Sequence, residues 1–205
     1  MDDLSGTKEL IFDTFIEMTS MLGYESVSMR DIAARVGIKV ASIYNHFETK
    51  AKILEYAYNY YSNHIYDTRK PAEDMKKLIM TAKPDELVKS LLYTFVTDDQ
   101  KKYVRMILTT KIIYMRLYQD PIANALFAES INNNAEYVTD ILKYGISIGR
   151  IKDDFDIKTF ADMLIGSIII MGIKAFAGAA YEPGQLDEEK RILALLARLL
   201  STAMK

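Results

Sequence analysis

The chain has 205 residues, a formal net charge of −2 and no cysteine, a length that suits one large domain or two small ones. Half of it is hydrophobic, while Gly and Pro number only nine and four, well below their usual combined ~12%; collagen-like and disordered chains are excluded and long helices are favoured. The absence of cysteine rules out disulfides, thiolate nucleophiles and Cys-ligated zinc, and the near-neutral charge exerts no global pull on nucleic acid or anionic lipid, so any such binding needs a local patch.

The opening MDDLSGTKEL is acidic and lacks the basic and apolar regions of a secretory signal, so a cytoplasmic protein is expected. From Thr7 to Leu22, Leu10, Ile11, Phe12, Phe15, Met18, Met21 and Leu22 recur at helical spacing, and Gly23 supplies the stop. Ser28 with Asp31 three residues later forms an approximate capping box for MRDIAARV, which ends at Gly37. A second short apolar-periodic piece, Val40 to Phe47, begins about three residues on, and two short helices joined by a tight glycine turn make a helix-turn-helix.

Thr49 can cap the next helix, which carries Ile53, Leu54, Ala57, Tyr58 and Tyr61. Pro71, Pro84 and Pro121 punctuate the remainder of the chain, and further helices are predicted at about 85–97, 99–118, 121–148, 157–180 and 187–204, about nine in all. Phe160–Ala180 is apolar nearly all round, and Ile192, Leu195, Leu196 and Leu199 form a stripe on the last helix. A helix apolar all round must be buried. The run Met163–Ile173 is too short for the ~20 residues that span a bilayer, so no membrane association is expected. Small residues such as Gly166 let helices approach closely, and Gly166, Ile170, Ile173, Leu195, Leu196 and Leu199 are candidates for a homodimer interface.

Gly145-Ile146-Ser147-Ile148-Gly149 matches the G-x-S-x-G of hydrolases, but that chemistry needs a strand before the serine and a histidine after it. The only histidines, His46 and His64, lie upstream. A helix end with Gly149 as its left-handed cap is the simpler reading. Metal-ligating histidine spacings, phosphate-binding loops and dinucleotide fingerprints are also missing. Neither an enzyme nor a cofactor is expected.

The segment SVSMRDIAARVGIKVASIYNHFETKAKIL, Ser26–Leu54, resembles the DNA-binding module of TetR-family transcriptional regulators, through Gly23-Tyr24, Ser28, Asp31-Ile32-Ala33, Gly37-Ile38, Ile43-Tyr44, His46-Phe47, Lys50 and Leu54. An exposed helix that enters the major groove needs bracing from two others. Phe15, Met18, Ile32, Val36, Ile43 and Phe47 can brace it, leaving Lys39, Ser42, Tyr44, Asn45 and His46 outward. The resemblance implies that Ser28 and Lys50 clamp phosphates, that Tyr44 and His46 touch the backbone, and that Lys39, Val40, Ala41 and Ser42 face base edges, with Asn45 beside them. Lys39 stands where the family often has a serine cap and is a candidate for a guanine contact. Residues 27–52 hold Arg30, Arg35, Lys39, Lys50 and Lys52 against Asp31 and Glu48, a local +3.

The expected architecture is all-α: residues 1–50 form an N-terminal three-helix helix-turn-helix module, and residues 51–205 a larger helical domain for effector binding and dimerisation. The resemblance implies a repressor of palindromic operator DNA that a small, mostly apolar effector releases; the alternative is a C-terminal domain that binds a protein partner or no ligand. Tyr and Met number fourteen and eleven. Tyr combines an apolar body with a polar tip and Met adapts to varied shapes, so Tyr93, Tyr103, Met106, Thr110, Tyr114, Tyr118 and Tyr137 are the effector-site candidates.

Overall fold

The computed structural model describes residues 6–67, 69–92, 99–177 and 187–205. These form ten helices: α1 (Gly6–Leu22), α2 (Met29–Val36), α3 (Val40–Tyr44), α4 (Lys50–His64), α5 (Ala72–Thr81), α6 (Pro84–Leu92), α7 (Gln100–Arg116), α8 (Pro121–Ser147), α9 (Ile157–Ala177) and α10 (Asp187–Ala203). Extended pairing among the described residues is limited to a single antiparallel bridge, Ile151 with Met204. No helix among them is long and apolar enough to cross a membrane. The tenth helix is α5, which sequence periodicity does not reveal. It starts after Pro71, carries Glu73 and Asp74 in its first turn and buries only Met75 and Ile79, too brief a pattern to stand out between Pro71 and Pro84.

The helices divide into two compact units, one of residues 1–67 with 97–128 and the other of residues 68–96 with 129–205. The first therefore takes in α4, α7 and the start of α8 as well as the segment before residue 50. Its core is built on Phe12, Phe15, Ile32, Ile43, Ile53 and Ile112, all essentially inaccessible to water. Within it, α1 and α7 run side by side in the same direction, as four contacts show. Lys101 pairs with Glu9 and Arg105 with Asp13, both at a separation of 92 residues. Met115 lies against Gly23, and the Arg116 guanidinium lies over the Tyr24 ring, at that same separation. Arg105 donates to Asp13 Oδ1 at 2.6 Å, to Asp13 Oδ2 at 2.8 Å and to Glu9 Oε1 at 2.8 Å. Such forked, charge-assisted contacts are stronger and more directional than neutral ones.

Local chemistry fixes the short helices. Ser28 and Asp31 make the expected capping box at the start of α2: the Asp31 N–H donates to Ser28 Oγ at 3.2 Å, and Ser28's N–H and Oγ–H donate to Asp31 Oδ2 at 2.9 and 2.5 Å. At the other end Gly37 adopts φ 77°, ψ 30°, a left-handed geometry that costs glycine least, and Gly37 and Ile38 both donate to the Ala33 carbonyl. Thr49 caps α4 by accepting from the Lys52 N–H at 3.2 Å.

The second unit gathers α5, α6, the later turns of α8, α9 and α10 around Met75, Ile79, Leu87, Leu142, Leu164 and Leu200. Gly145 lets α8 come close: a Cβ there would lie 2.6 Å from Ile79 Cδ1 and 2.8 Å from Ile151 Cδ1. The G-x-S-x-G segment is the end of α8 followed by Gly149 at φ 72°, and Ser147 Oγ donates to its own helix, to the Tyr144 carbonyl at 2.8 Å. Helix α9 departs from the expectation of all-round burial. Phe160, Ala161, Leu164 and Ile165 enter the core, whereas Met163, Ile170 and Ile173 stay exposed. Gly166 has open space where a side chain would project. On α10, Leu195 is exposed, but Leu196 is turned into the core and Leu199 packs partly against it, because adjacent helical positions point about 100° apart.

Leu164→Ala is expected to cost about 2–5 kcal/mol in urea unfolding, as a cavity in a closed core does; a loss below ~1 kcal/mol would contradict the core placement. The Ser28 hydrogen bonds hold the Asp31 carboxyl below its ordinary 3.8. A carboxylate favoured in the folded state adds stability above that pH and loses it as pH falls through the lowered value. Asp31→Ala should therefore lower the melting temperature less at about pH 3 than at about pH 5, and an equal loss at both would remove the carboxylate from the cap.

Candidate nucleic-acid interface

The helix-turn-helix presents α3 by burying two of its neighbouring turns. Ile43 and Phe47 sit in the core of the first unit, and the sequence-predicted braces Phe15 and Ile32 are buried with them, while Met18 and Val36 pack partly against the same cluster. The outward side carries Lys39, Ala41, Tyr44, Asn45 and His46, all exposed, with Ser42 half-buried. Val40 does not join this face; it packs against the core and so has little surface left for a base edge. Lys39 occupies the position before α3 in extended backbone, φ −70° and ψ 143°, and its side chain makes no capping hydrogen bond. A lysine has no acceptor to offer the first amides of a helix, so its ammonium stays outward.

Ser28 is exposed but committed to Asp31 through its hydroxyl. Lys50 is half-buried: its Nζ donates to the Tyr24 carbonyl at 2.8 Å and lies 4.0 Å from the centre of the Tyr24 ring. The local +3 is thus unevenly available. Arg35 pairs with Glu17 at 3.2 Å and Lys52 with Glu55 at 2.7 Å. Among the described residues, Arg30 and Lys39 are the two cations of residues 27–52 with no ion pair or hydrogen-bond partner. The helix-turn-helix pattern does not single out Arg30. Its signal lies in the alternation of α2, where Ile32 and Ala33 turn inward and leave Arg30 exposed.

The effector-site candidates are distributed over both units. Tyr103, Met106, Thr110 and Tyr114 lie half-buried on α7 in the first unit. Tyr114 meets the Phe127 ring edge-on at 5.1 Å, and burial pushes its phenol up to about 12. Thr110 Oγ1 donates back to the Met106 carbonyl at 2.7 Å. Tyr118 is 95% exposed and lines nothing: it comes after the last turn of α7, where the helical face no longer meets the core. Tyr137 belongs to the second unit, donating its hydroxyl to the Lys70 carbonyl at 2.6 Å with the Arg69 guanidinium over its ring. Tyr93 lies outside the described residues. No group of three or more His, Cys, Asp or Glu among the described residues is arranged to hold a metal ion.

Comparison with known proteins finds a family profile over the helix-turn-helix region. The profile of the bacterial regulatory proteins, tetR family, matches residues 11–57, a span that opens in α1 and closes in α4. The biofilm operon icaADBC HTH-type negative transcriptional regulator IcaR of Staphylococcus aureus (strain Newman) is 32% identical over 103 residues, 48% of this chain and 50% of that protein. The chain thus spans about half the length of the curated relatives it matches. Among solved structures, the ketosteroid transcriptional regulator KstR2 of Mycobacterium tuberculosis superposes with a TM-score of 0.63 at 18% identity, covering 99% of this chain and 97% of that one. A TetR-family transcriptional regulator of Cytophaga hutchinsonii gives 0.64 at 16% identity, covering 99% and 98%. At such identities these structures establish a shared fold. Residues 11–57 thus match the tetR family of bacterial regulatory proteins in sequence, and the helical architecture beyond them is similar in fold to solved structures of such regulators.

Proposed function

We propose that the chain is a DNA-binding transcriptional regulator, a repressor whose hold on a palindromic operator is relieved by a small, mostly apolar effector. The observation that carries this reading is the presentation of α3: Ile43 and Phe47 are buried while Ala41 and Tyr44 on the helix, and Lys39, Asn45 and His46 flanking it, are exposed. A helix so placed fits the major groove, where base edges present a distinct pattern for each pair. Residues 1–50 act as the reader and residues 51–205 as receiver and dimerisation domain. Ser28, Tyr44, His46 and Lys50 contact the backbone, and Lys39, Ala41 and Ser42 meet bases. A protein that reads the chromosome works in the bacterial cytoplasm.

A homodimer is proposed because of what a single reader can achieve. Five residues of α3 cover about 7.5 Å, only a few base pairs, whereas two-fold pairing doubles the site with half-sites about one helical turn apart. The exposed apolar positions Met163, Ile170 and Ile173 of α9 and Leu195 of α10 supply the surface for it, with Gly166 permitting close approach. The effector acts by population shift: it binds best to the state whose α3 helices miss successive major grooves, and lowers operator affinity by that preference. Tyr103, Met106, Thr110 and Tyr114 are its proposed contacts. Helix α7, which bears them, and α4 share a compact unit with the reader, so a shift in either is felt at α3.

Selection of duplexes from a random pool by the full chain should return a palindrome, and an asymmetric site or none would count against this reading. Lys39→Ala should weaken binding and reduce the slope of log affinity against log salt by about 1 if Lys39 meets a phosphate. If it meets a guanine instead, the slope stays and discrimination at that position falls by about 1–3 kcal/mol. The double substitution Ile170→Glu with Leu195→Glu should convert a dimer into a folded monomer in sedimentation, with loss of operator affinity. An unchanged dimer would place the interface elsewhere.

A further inference from the structure

Lys50 is the least free of the DNA-contact candidates, and its surroundings reach from the start of α4 to the start of α8. Its ammonium has three donors; one is spent on the Tyr24 carbonyl at 2.8 Å, and the same ammonium lies 4.0 Å from the Tyr24 ring centre. A second cation uses that ring: the Arg116 guanidinium carbon lies 4.4 Å from its centre. Arg116 is itself tied down. Its Nε donates to the Tyr58 hydroxyl and to Asp120 Oδ2, each at 3.2 Å, and Tyr58 donates to the same Asp120 oxygen at 2.8 Å. Asp120 also accepts from the Ile122 N–H at 3.0 Å, in the first turn of α8. The Arg116 side chain is only 15% exposed, so these contacts form where water competes weakly.

We propose that Tyr24 and Arg116 are positioning residues for Lys50, holding its ammonium where two remaining donors can meet a DNA phosphate. Attraction between a cation and an aromatic face is appreciable within about 6 Å and grows on desolvation. The Tyr24 ring, held also by the Arg116 guanidinium, therefore gives the lysine stem one preferred path out of several. The Tyr58–Arg116–Asp120 cluster makes that path depend on how the first turn of α8 meets α4, so a displacement at Asp120 is delivered to Lys50 without passing through α3. The inference rests on the DNA-binding reading and assigns roles to Tyr24 and Arg116 that the helix-turn-helix pattern does not contain.

The test is a thermodynamic cycle on the full chain with a mixed-sequence duplex as the probe, its affinity measured across a salt series. Lys50→Met should reduce the salt slope by about 1, the signature of one lost phosphate contact. Tyr24→Leu and Arg116→Met should each reduce the slope in the same direction, and neither should reduce it further once Lys50→Met is present, since coupled residues are not additive. Tyr24→Phe keeps the ring and the carbonyl and should bind like the unmodified chain. Thermal melts identify any variant that fails to fold, and because Tyr24→Leu lies in the α1–α2 junction and Arg116→Met on α7, either suffices for the cycle. Slopes unaffected by both substitutions, or losses that simply add to that of Lys50→Met, overturn the positioning role. An unmodified chain that does not bind the duplex at low salt overturns the DNA-binding reading and this inference with it.

Discussion

The first unit depends on the ion pairs that key α7 to α1. Arg105 is 11% exposed and forks onto Asp13 and Glu9, with Lys101 reinforcing Glu9 at 2.6 Å. Buried charges are expensive to desolvate, and a pair of them adds little net stability over apolar packing. What such a pair does supply is selectivity among packings, because a helix slipped by one turn, about 5.4 Å, would leave the guanidinium buried without its carboxylates. The apolar contacts between α1 and α7 have no comparable preference. The constant separation of 92 residues from Glu9–Lys101 to Asp13–Arg105, continued at Gly23–Met115 and Tyr24–Arg116, is the outcome of that keying. With α7 in register, Arg116 arrives over Tyr24 at the junction of α1 and α2, and the helix-turn-helix acquires a fixed neighbour.

The charge pattern sets how such a module can hold DNA. A net of −2 for the chain gives no long-range attraction, and three of the five cations in residues 27–52 are occupied within the protein. Counterion release scales with the phosphates actually neutralised, so under the proposed DNA-binding function nonspecific affinity would rest on few contacts and discrimination would come from base edges and geometry. Arg30 and Lys39 lie on either side of the Gly37 turn, so the rigidity of that turn fixes the distance between the two free charges. A left-handed glycine whose N–H, like that of Ile38 after it, donates to the Ala33 carbonyl is suited to that role, since almost any other residue would strain it.

What could be read from sequence was what is local. The Ser28–Asp31 box, the Gly37 stop and the inward pair Ile43 and Phe47 each involve residues within four positions of one another, and each is present in the fold. Helix α5 escaped because two buried residues make too short a period, and its place depends on Gly145, far along the chain. The register of α1 on α7 could not be read at all, because nothing in an acidic first helix says which of several distant cations it will meet. Leu195 and Leu196 show the same limit at the scale of one residue. Both belong to an apolar stripe, yet one is 55% exposed and the other 2%, a difference set by how α10 rolls against its neighbours. Tyr118 and Tyr137 failed to join the α7 tyrosines for a related reason: composition marks residues suited to a pocket without telling that Tyr118 falls past the end of α7 and into solvent, or that Tyr137 belongs to the other unit.

The apolar face of α9 bears on the same point from the energetic side. Periodicity assigns no direction to a helix that is apolar all round, and its core-facing residues Phe160, Leu164 and Ile165 leave Met163, Ile170 and Ile173 in water. At 41%, 52% and 51% exposure, each of these side chains forgoes about half of the ~1.5–3 kcal/mol that complete burial supplies, and their spacing of seven and three residues places them on one side of the helix. Gly166 lies between them with nothing in front of it, so an approaching helix could come closer here than anywhere a side chain projects. The short proposed reader and the partly exposed apolar face of α9 are separate features of the chain, and the proposed two-fold dimer would account for both with one assembly. It would also make operator affinity depend on protein concentration, since a free monomer carries only half of the reading surface.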